Sequence, residues 1–480
     1  MRNTEVIIIM ARTEVLLSVV LLSACASRSI GADVARVRTL SRAQALPHVQ
    51  SDKVETTTDK DAHSLLAAPL SESTAVRVAL LNNRDLRADL RELGVSRGRL
   101  MQAGLVANPR LEVEFLPERD SNMELRAEYN LSSLLLAPLA KRAAGAELEA
   151  HRFQVAARVV ELGFEVRRAF YALAAAQLRF QYAQRTLDAL TAGRDAAVAL
   201  LAAGNIPALE ASRQIVAYEN ARIDVAKIEL DVADQREHMQ RLLGLYGDET
   251  EWRITPDFVA IPAELALPDK LETRALGENL DLKALTHRLE AAGRRTGIAR
   301  ATSIVPDVTV DGHALHVNGD AQHHDGQAYW RYAAGVSMGV PLFDRQQGNM
   351  RVAEAEFDVL IERQQALAIE LRSRARETRN RVVSTHARAR AYASTLVPAQ
   401  RTVMEQTLLQ YNAMQLGVFE LLAARRAELE IDLAYVDAQA DYWEATAELD
   451  ALLAGKVVRH DGDQERERAT MHGADLSGGH

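Results

Sequence analysis

The residue with the most specific chemistry in this chain is its only cysteine, Cys25. It closes an apolar run, Val15-Leu16-Leu17-Ser18-Val19-Val20-Leu21-Leu22-Ser23-Ala24, that follows Arg12. A positive start, a short hydrophobic core and small residues at the cut make a secretory signal. The run is too short to cross a bilayer, which needs about 20 apolar residues. Its end, Leu22-Ser23-Ala24-Cys25, matches the bacterial lipobox, so Cys25 is expected to be acylated (palmitate included) and to become the mature N-terminus. Ala26 rather than an aspartate follows, which by the same match favours the outer membrane. An ordinary signal with a chance cysteine is the plainer alternative. Met10 competes with Met1 as the true start. One cysteine allows no intrachain disulfide.

Other reactive constellations are absent from the sequence. No nucleotide-binding glycine loop, zinc-ligand spacing or nucleophile elbow occurs, so no catalytic residue and no cofactor are assigned, and the chain is read as a non-enzyme. Histidines gather loosely at His313, His316, His323 and His324, and again at His460, His472 and His480. Weak metal capture is one reading of them. A polar loop and a solvated tail that contain histidine are the plainer one, and no metal site is assigned.

The elements that position these residues follow from composition and period. The 480 residues are 48% hydrophobic, only 5% aromatic and 26% charged, with a net charge of -9. Ala and Leu dominate, which suits long helices packed through small side chains. No basic patch marks a nucleic-acid partner. After Cys25 no apolar stretch of 18 or more occurs, so entry into a membrane requires a β-barrel or the lipid.

A duplication organises the middle of the chain. Asn83-Arg84-Asp85-Leu86 is echoed by Asn279-Leu280-Asp281-Leu282, Asn108-Pro109-Arg110-Leu111 by Val305-Pro306-Asp307-Val308, and Pro138-Leu139-Ala140-Lys141-Arg142 by Pro341-Leu342-Phe343-Asp344-Arg345. Such a long fixed spacing points to repeated structural units. Each unit opens with a helix of about 30 residues (Ser73–Ala103, Asp269–Ala301), followed by two alternating stretches that read as a strand hairpin. In the first, Leu111, Val113 and Phe115 alternate with Glu112 and Glu114, then Leu125, Ala127, Tyr129 and Leu131 with Arg126, Glu128 and Asn130. In the second, Val308 and Val310 alternate with Thr309 and Asp311, then Trp330, Tyr332, Val336 and Met338 with Arg331 and Ser337. A tilted membrane strand needs about ten residues, as these offer. Long helical seams follow, with Pro398 expected to kink the second. Gly204-Asn205-Ile206-Pro207 and Gln415-Leu416-Gly417 mark reversals into returning helices.

Four strands cannot close a barrel, and open edges are not tolerated in hydrocarbon, so a homotrimer pooling twelve strands is the simplest closed solution. The duplicated hairpin, the Pro-Leu-Phe-Asp exit at Pro341 and the tip Gln415-Leu416-Gly417-Val418-Phe419-Glu420 resemble the TolC-like outer-membrane factors over about Glu72 to Lys456. The resemblance implies a mainly α protein with a trimeric 12-strand β-barrel continued by a periplasmic helical tunnel. It implies a passive exit duct of a tripartite efflux system, driven by an inner-membrane pump of RND type through a periplasmic adaptor. The tip, with Asp441-Tyr442-Trp443, looks closest to the heavy-metal branch. Adaptor contacts are then expected at Gly204, Asn205, Ile206, Leu209, Leu416, Gly417, Val418 and Leu421, an aperture acid at Glu420, and lumen-facing carboxylates at Glu112, Glu114, Glu128 and Asp311. A type I secretion exit for polypeptides and a non-pore, lipid-anchored coiled-coil scaffold are the alternatives. The expected domains are a signal (1–24), a flexible tether (25–70), a first repeat (71–255; hairpin about 109–132, helices 138–245), a second repeat (256–456; hairpin about 306–341, helices 344–455) and a disordered tail (457–480).

Overall fold

The computed structural model describes residues 30–43, 46, 64–115, 121–304, 307–317 and 329–458. Cys25, His323, His324 and the tail histidines lie outside these. In chain order the helices are α1 (Ile30–Ser41), α2 (Glu72–Asn82), α3 (Arg84–Ala103), α4 (Leu131–Ala202), α5 (Ala208–Leu243), α6 (Leu271–Glu278), α7 (Leu280–Ile304), α8 (Gln347–Ala391), α9 (Val397–Asn412) and α10 (Val418–Leu453). The strands are β1 (Arg110–Glu114), β2 (Ser121–Asn130), β3 (Asp307–Val317) and β4 (Tyr329–Gly339). They form one antiparallel sheet in the order β1-β2-β3-β4, so the two hairpins sit side by side and both outer edges are open.

The 72 residues of α4 make a rod of roughly 108 Å at about 1.5 Å per residue. It begins directly at the end of β2 rather than near 138: Asn130 Oδ1 accepts from Ser133 N at 3.0 Å and caps it, and Pro138 is carried inside the helix. The second long helix is interrupted instead. A π-helical turn, Tyr392–Leu396, separates α8 from α9. Val397 N bonds to Tyr392 O across that turn, just before Pro398. Proline lacks the N–H for an i−4 bond and its ring crowds that carbonyl, so the wider turn absorbs the expected kink.

Each opening helix is broken in two rather than continuous, and the break is the same in both repeats. Asn83 Oδ1 caps α3 by accepting from Leu86 N at 3.0 Å, while its Nδ2 donates to Leu242 O at 3.0 Å, at the end of α5. Asn279 Oδ1 caps α7 by accepting from Leu282 N at 2.7 Å, and its Nδ2 donates to Gly455 O at 3.3 Å, just past α10. Each asparagine therefore starts one helix and holds the end of another. The held ends turn through glycines with positive φ, Gly244 at 70° and Gly455 at 97°. A Cβ on Gly244 would stand 2.7 Å from Asn82 O, and one on Gly455 would stand closer still to Glu278 O. Only glycine allows both the left-handed turn and the approach.

The expected tether is corrected over Ile30–Ser41, which folds as α1 and packs into the main core through fully buried Val34 and Val37. Asp33, 0% exposed, accepts from Arg97 Nε at 2.5 Å and from Arg152 Nε at 2.9 Å. Burial alone would raise the Asp33 pKa, but the two guanidiniums outweigh it and hold the carboxyl below its usual value. The tail is corrected over its first two residues: Val457 packs beside Leu271, and Val458 is buried against Phe164. β1, at five residues, is half the expected length.

These contacts set the expected stability of variants. Asn83→Ala and Asn279→Ala should each lower unfolding stability by about 1–2 kcal/mol, through loss of a cap and of a second buried bond. Gly455→Ala should cost more than either, read by thermal melting of the detergent-solubilised protein. Asp33→Ala leaves the largely buried Arg97 guanidinium without a carboxylate and Arg152 with Glu149 alone, and should cost about 3–5 kcal/mol. Because the folded Asp33 pKa is lowered, its contribution is present above the unfolded carboxylate pKa and is lost as pH falls through the folded one. Melting curves of wild type and variant should therefore converge on acidification below about pH 4.

Candidate functional site

Register divides the sheet into two unlike faces. Leu111 lies opposite Ala127, then Gly312 and Ala334, and Val113 opposite Leu125, then Ala314 and Tyr332. This face is apolar, and Leu111, Val113, Tyr332, Val336 and Met338 are all exposed on it. The opposite face carries Glu112, Arg126 and His313 in one row and Arg110, Glu128 and Asp311 in the next. The structure thus brings Glu112, Glu114, Glu128 and Asp311 onto one surface, as period-two spacing requires. It also brings Glu124, which the sequence did not single out, and His313, noted there only as one of a loose group of histidines. His313 bonds Glu124 through Nδ1 at 3.1 Å and Asp311 through Nε2. Arg126 donates to Glu124 at 3.2 Å and approaches Glu112 at 3.8 Å. Across from Asp311, Gly335 leaves the space its carboxylate fills, since a Cβ there would lie 2.8 Å from both oxygens. The signal for Glu124 was available in the parity of β2, which places it two residues before Arg126.

At the far end of the long helices the two reversals are copies. Gly204 N bonds to Leu201 O at 2.9 Å and Asn205 N to Leu200 O at 2.8 Å; Met414 N bonds to Tyr411 O and Gln415 N to Gln410 O, both at 2.9 Å. Gly204 and Met414 occupy the equivalent left-handed position, with φ of 73° and 57°. Pro207 and Gly417 then stand as the N-caps of α5 and α10. Gly204, Asn205, Leu209 and Gly417 are exposed, whereas Ile206, Leu416, Val418 and Leu421 are half-buried. Met414, missed from sequence, is 93% exposed. Glu420 turns back over its own helix start, where a Cβ on Gly417 would meet Oε2 at 2.6 Å. An acid in that first turn complements the helix dipole. Its counterpart Glu210 accepts from Gln214 at 3.0 Å and Arg213 at 3.3 Å. Above the tips, Asp432 has its pKa raised by burial and by Glu428, against the opposing pull of Arg401, Arg425 and Arg185.

Among the described residues no group of three or more His, Cys, Asp or Glu is placed to hold a metal ion. No described helix is long and apolar enough to cross a membrane.

Residues 271–455, spanning α6 to α10, match the family described as "Outer membrane efflux protein". The chain is 25% identical over 401 residues to the "Cobalt-zinc-cadmium resistance protein CzcC" of Cupriavidus metallidurans, covering 81% of this chain and 90% of that one. It is 26% identical over 160 residues to the "Cation efflux system protein CusC" of Escherichia coli K12, covering 32% of this chain and 33% of that one. In fold it resembles the outer membrane protein VceC of Vibrio cholerae, with a TM-score of 0.63 at 17% identity over 81% of this chain and 97% of that one. The family match thus falls within the second repeat, and the similarity to CzcC, at 401 residues, reaches well beyond it, as the resemblance read from the residues implies.

The tip twins give a direct test of the strain at Met414. Non-glycine residues in the left-handed region cost about 1–2 kcal/mol. Met414→Gly should therefore slow amide hydrogen exchange across 410–417, whereas Gly204→Ala should speed it across 200–207.

Proposed function

We propose that this chain is the outer-membrane exit duct of a tripartite efflux system, exporting metal cations or small toxic compounds. The observation that carries the reading is a protomer incomplete at both levels. Its sheet has an apolar and a polar face and two open edges. A sheet of that kind is stable in hydrocarbon only when closed. Three copies give the twelve strands of a barrel, with the polar face inward and Glu112, Glu114, Glu128 and Asp311 lining the lumen. The carboxylates there outnumber Arg110, Arg126 and Arg331 and suit cations in transit.

The helical layer is open in the same way. α5 packs along α4, and its outward side repeats Leu209, Val216, Ile223 and Leu230, all more than half exposed. The spacing of seven is that of a coiled-coil seam. At the other edge, α8 exposes Ile369 and Val383, 14 residues apart, and the π turn and α9 expose Leu396 and Val403, seven apart. Joining α5 of one copy to α8 and α9 of the next is a head-to-tail contact that closes as a ring. The tube would end at the tips, where Gly204, Asn205, Ile206, Leu209, Leu416, Gly417, Val418 and Leu421 meet a periplasmic adaptor, itself held by an inner-membrane pump of RND type. Lipid on Cys25 would add a second hold on the outer membrane. Glu420, folded over its own helix start, acts first as a helix-end acid and only secondarily as an aperture charge. A scaffold without a pore gives no reason for a two-faced sheet. No observation favours polypeptide secretion over efflux.

The cargo class follows the relatives, whose names concern cobalt, zinc, cadmium and cations. Deleting the gene should lower growth tolerance to cobalt, zinc or cadmium, and the purified protein should conduct in planar bilayers. Val216→Asp with Ile223→Asp should abolish the trimer in native mass measurements and lose both conductance and tolerance. A conducting protein whose deletion left tolerance to every metal and drug unchanged would count against efflux; a protein that never conducted would sink the duct.

A further inference from the structure

Beyond the last paired residues of the sheet, its apolar pattern continues. β4 ends at Gly339. Val340 keeps the even-numbered parity of Tyr332, Val336 and Met338; the chain then turns at Pro341, where Leu342 N bonds to Val340 O at 2.9 Å, and Val340 and Leu342 are both exposed. Phe343 follows at 92% exposed. At the matching place in the first repeat, Leu131, Leu134, Leu135 and Leu139 form one exposed stripe on the opening turns of α4. The polar groups around both are committed to the backbone. Gln346 N donates to Asp344 Oδ1 and Arg345 N to Gln347 Oε1, each at 2.8 Å. Ser133 Oγ donates to Asn130 O at 2.7 Å. A tightly bonded turn therefore holds Phe343 outward, and a large apolar group held outward marks a surface that something covers.

Each repeat then places a guanidinium three residues beyond the exposed leucine, Arg142 after Leu139 and Arg345 after Leu342. Both are exposed, and neither side chain has a hydrogen-bond or ion-pair partner among the described residues. The order from the strands downward is apolar face, apolar step, cation. That is the order of a leaflet read from its acyl chains to its phosphates.

We infer that this collar binds anionic phospholipid of the inner leaflet, with acyl chains against Val340, Leu342, Phe343 and Leu135 and phosphodiesters on Arg142 and on Arg345. The inference rests on the duct reading, because it needs the sheet to stand in a bilayer. A second copy of the chain is the competing occupant. An exposed apolar step that follows directly on the apolar strand face, and two exposed cations with no carboxylate partner among the described residues, favour lipid.

The test is native mass spectrometry of the full-length trimer titrated with phosphatidylglycerol, with phosphatidylcholine as the zwitterionic control. Wild type should retain phosphatidylglycerol selectively. An exposed arginine near a lipid surface contributes roughly fivefold in affinity, so Arg142→Gln with Arg345→Gln should reduce retention at least that much while trimer mass and conductance persist. As a second measurement, Phe343→Trp should be quenched by phosphatidylglycerol brominated on its acyl chains, above the wild-type background. Equal retention of both lipids, unchanged retention in the arginine variant, or an unquenched Trp would overturn the site. So would loss of the trimer in Phe343→Ser with lipid retention intact, since the collar would then be a contact between copies. A wild type that held phosphatidylglycerol but never conducted would sink the duct and leave the lipid site standing.

Discussion

Each repeat hangs on one asparagine that bonds in two directions. Asn83 and Asn279 cap the helix leading to the strands and hold the end of the helix returning from the tips. Remove that bond and a rod of roughly 50 Å (about 36 residues at 1.5 Å each) loses the fixed point that sets where its far end lies. The positions of the tips and strands are both measured from this joint. Gly244 and Gly455 are its counterparts, since only a residue without Cβ lets the held end approach Asn82 O and Glu278 O so closely. Because the joint is duplicated, the two halves set their rods from equivalent points, and the tip turns come out as copies.

That joint shows what the sequence makes legible and what it hides. The echo of Asn83-Arg84-Asp85-Leu86 in Asn279-Leu280-Asp281-Leu282 announces a repeat. It says nothing of the partner, because Leu242 O and Gly455 O lie more than 150 residues away. The polar face of the sheet was readable, since period two assigns Glu112, Glu114, Glu128 and Asp311 to one side before any register is known. The Glu124–His313–Asp311 chain of bonds was not, because it depends on which residue of β3 lies opposite which of β2. Glu420 shows a different limit. Its place in the first turn of α10 is legible, but its carboxylate lies back over Gly417, a side-chain conformation that no pattern along the chain reports.

The N-terminal segment was misread for a physical reason. A stripe of two buried valines is too short to raise a periodic signal in a polar stretch. What fixes α1 is Asp33, a residue that by type belongs on the surface. Its two arginines come from α3 and α4, so the ion pair exists only after those helices are assembled. Such a contact is invisible to any window along the chain.

The two halves differ most where the strands meet the helices, and the difference bears on assembly. In the first repeat α4 begins at the end of β2 with no intervening turn, so rod and strand form one stiff element. In the second, Val340–Gln346 intervenes and ends in a left-handed residue, Gln346 at φ 57°. The sheet's outer strands, β1 and β4, are the ones whose backbone edges must find another copy. β4 carries the jointed connection at its exit, so its edge is attached to its rod through a turn and not through a continuous helix. In the proposed trimer the seam of α5 against α8 and α9 needs no membrane to form, whereas the edge of β4 is tolerated in hydrocarbon only once it is paired. Packing of the rods would thus bring the edges together before insertion, and the stability of the protomer is inseparable from that of the ring.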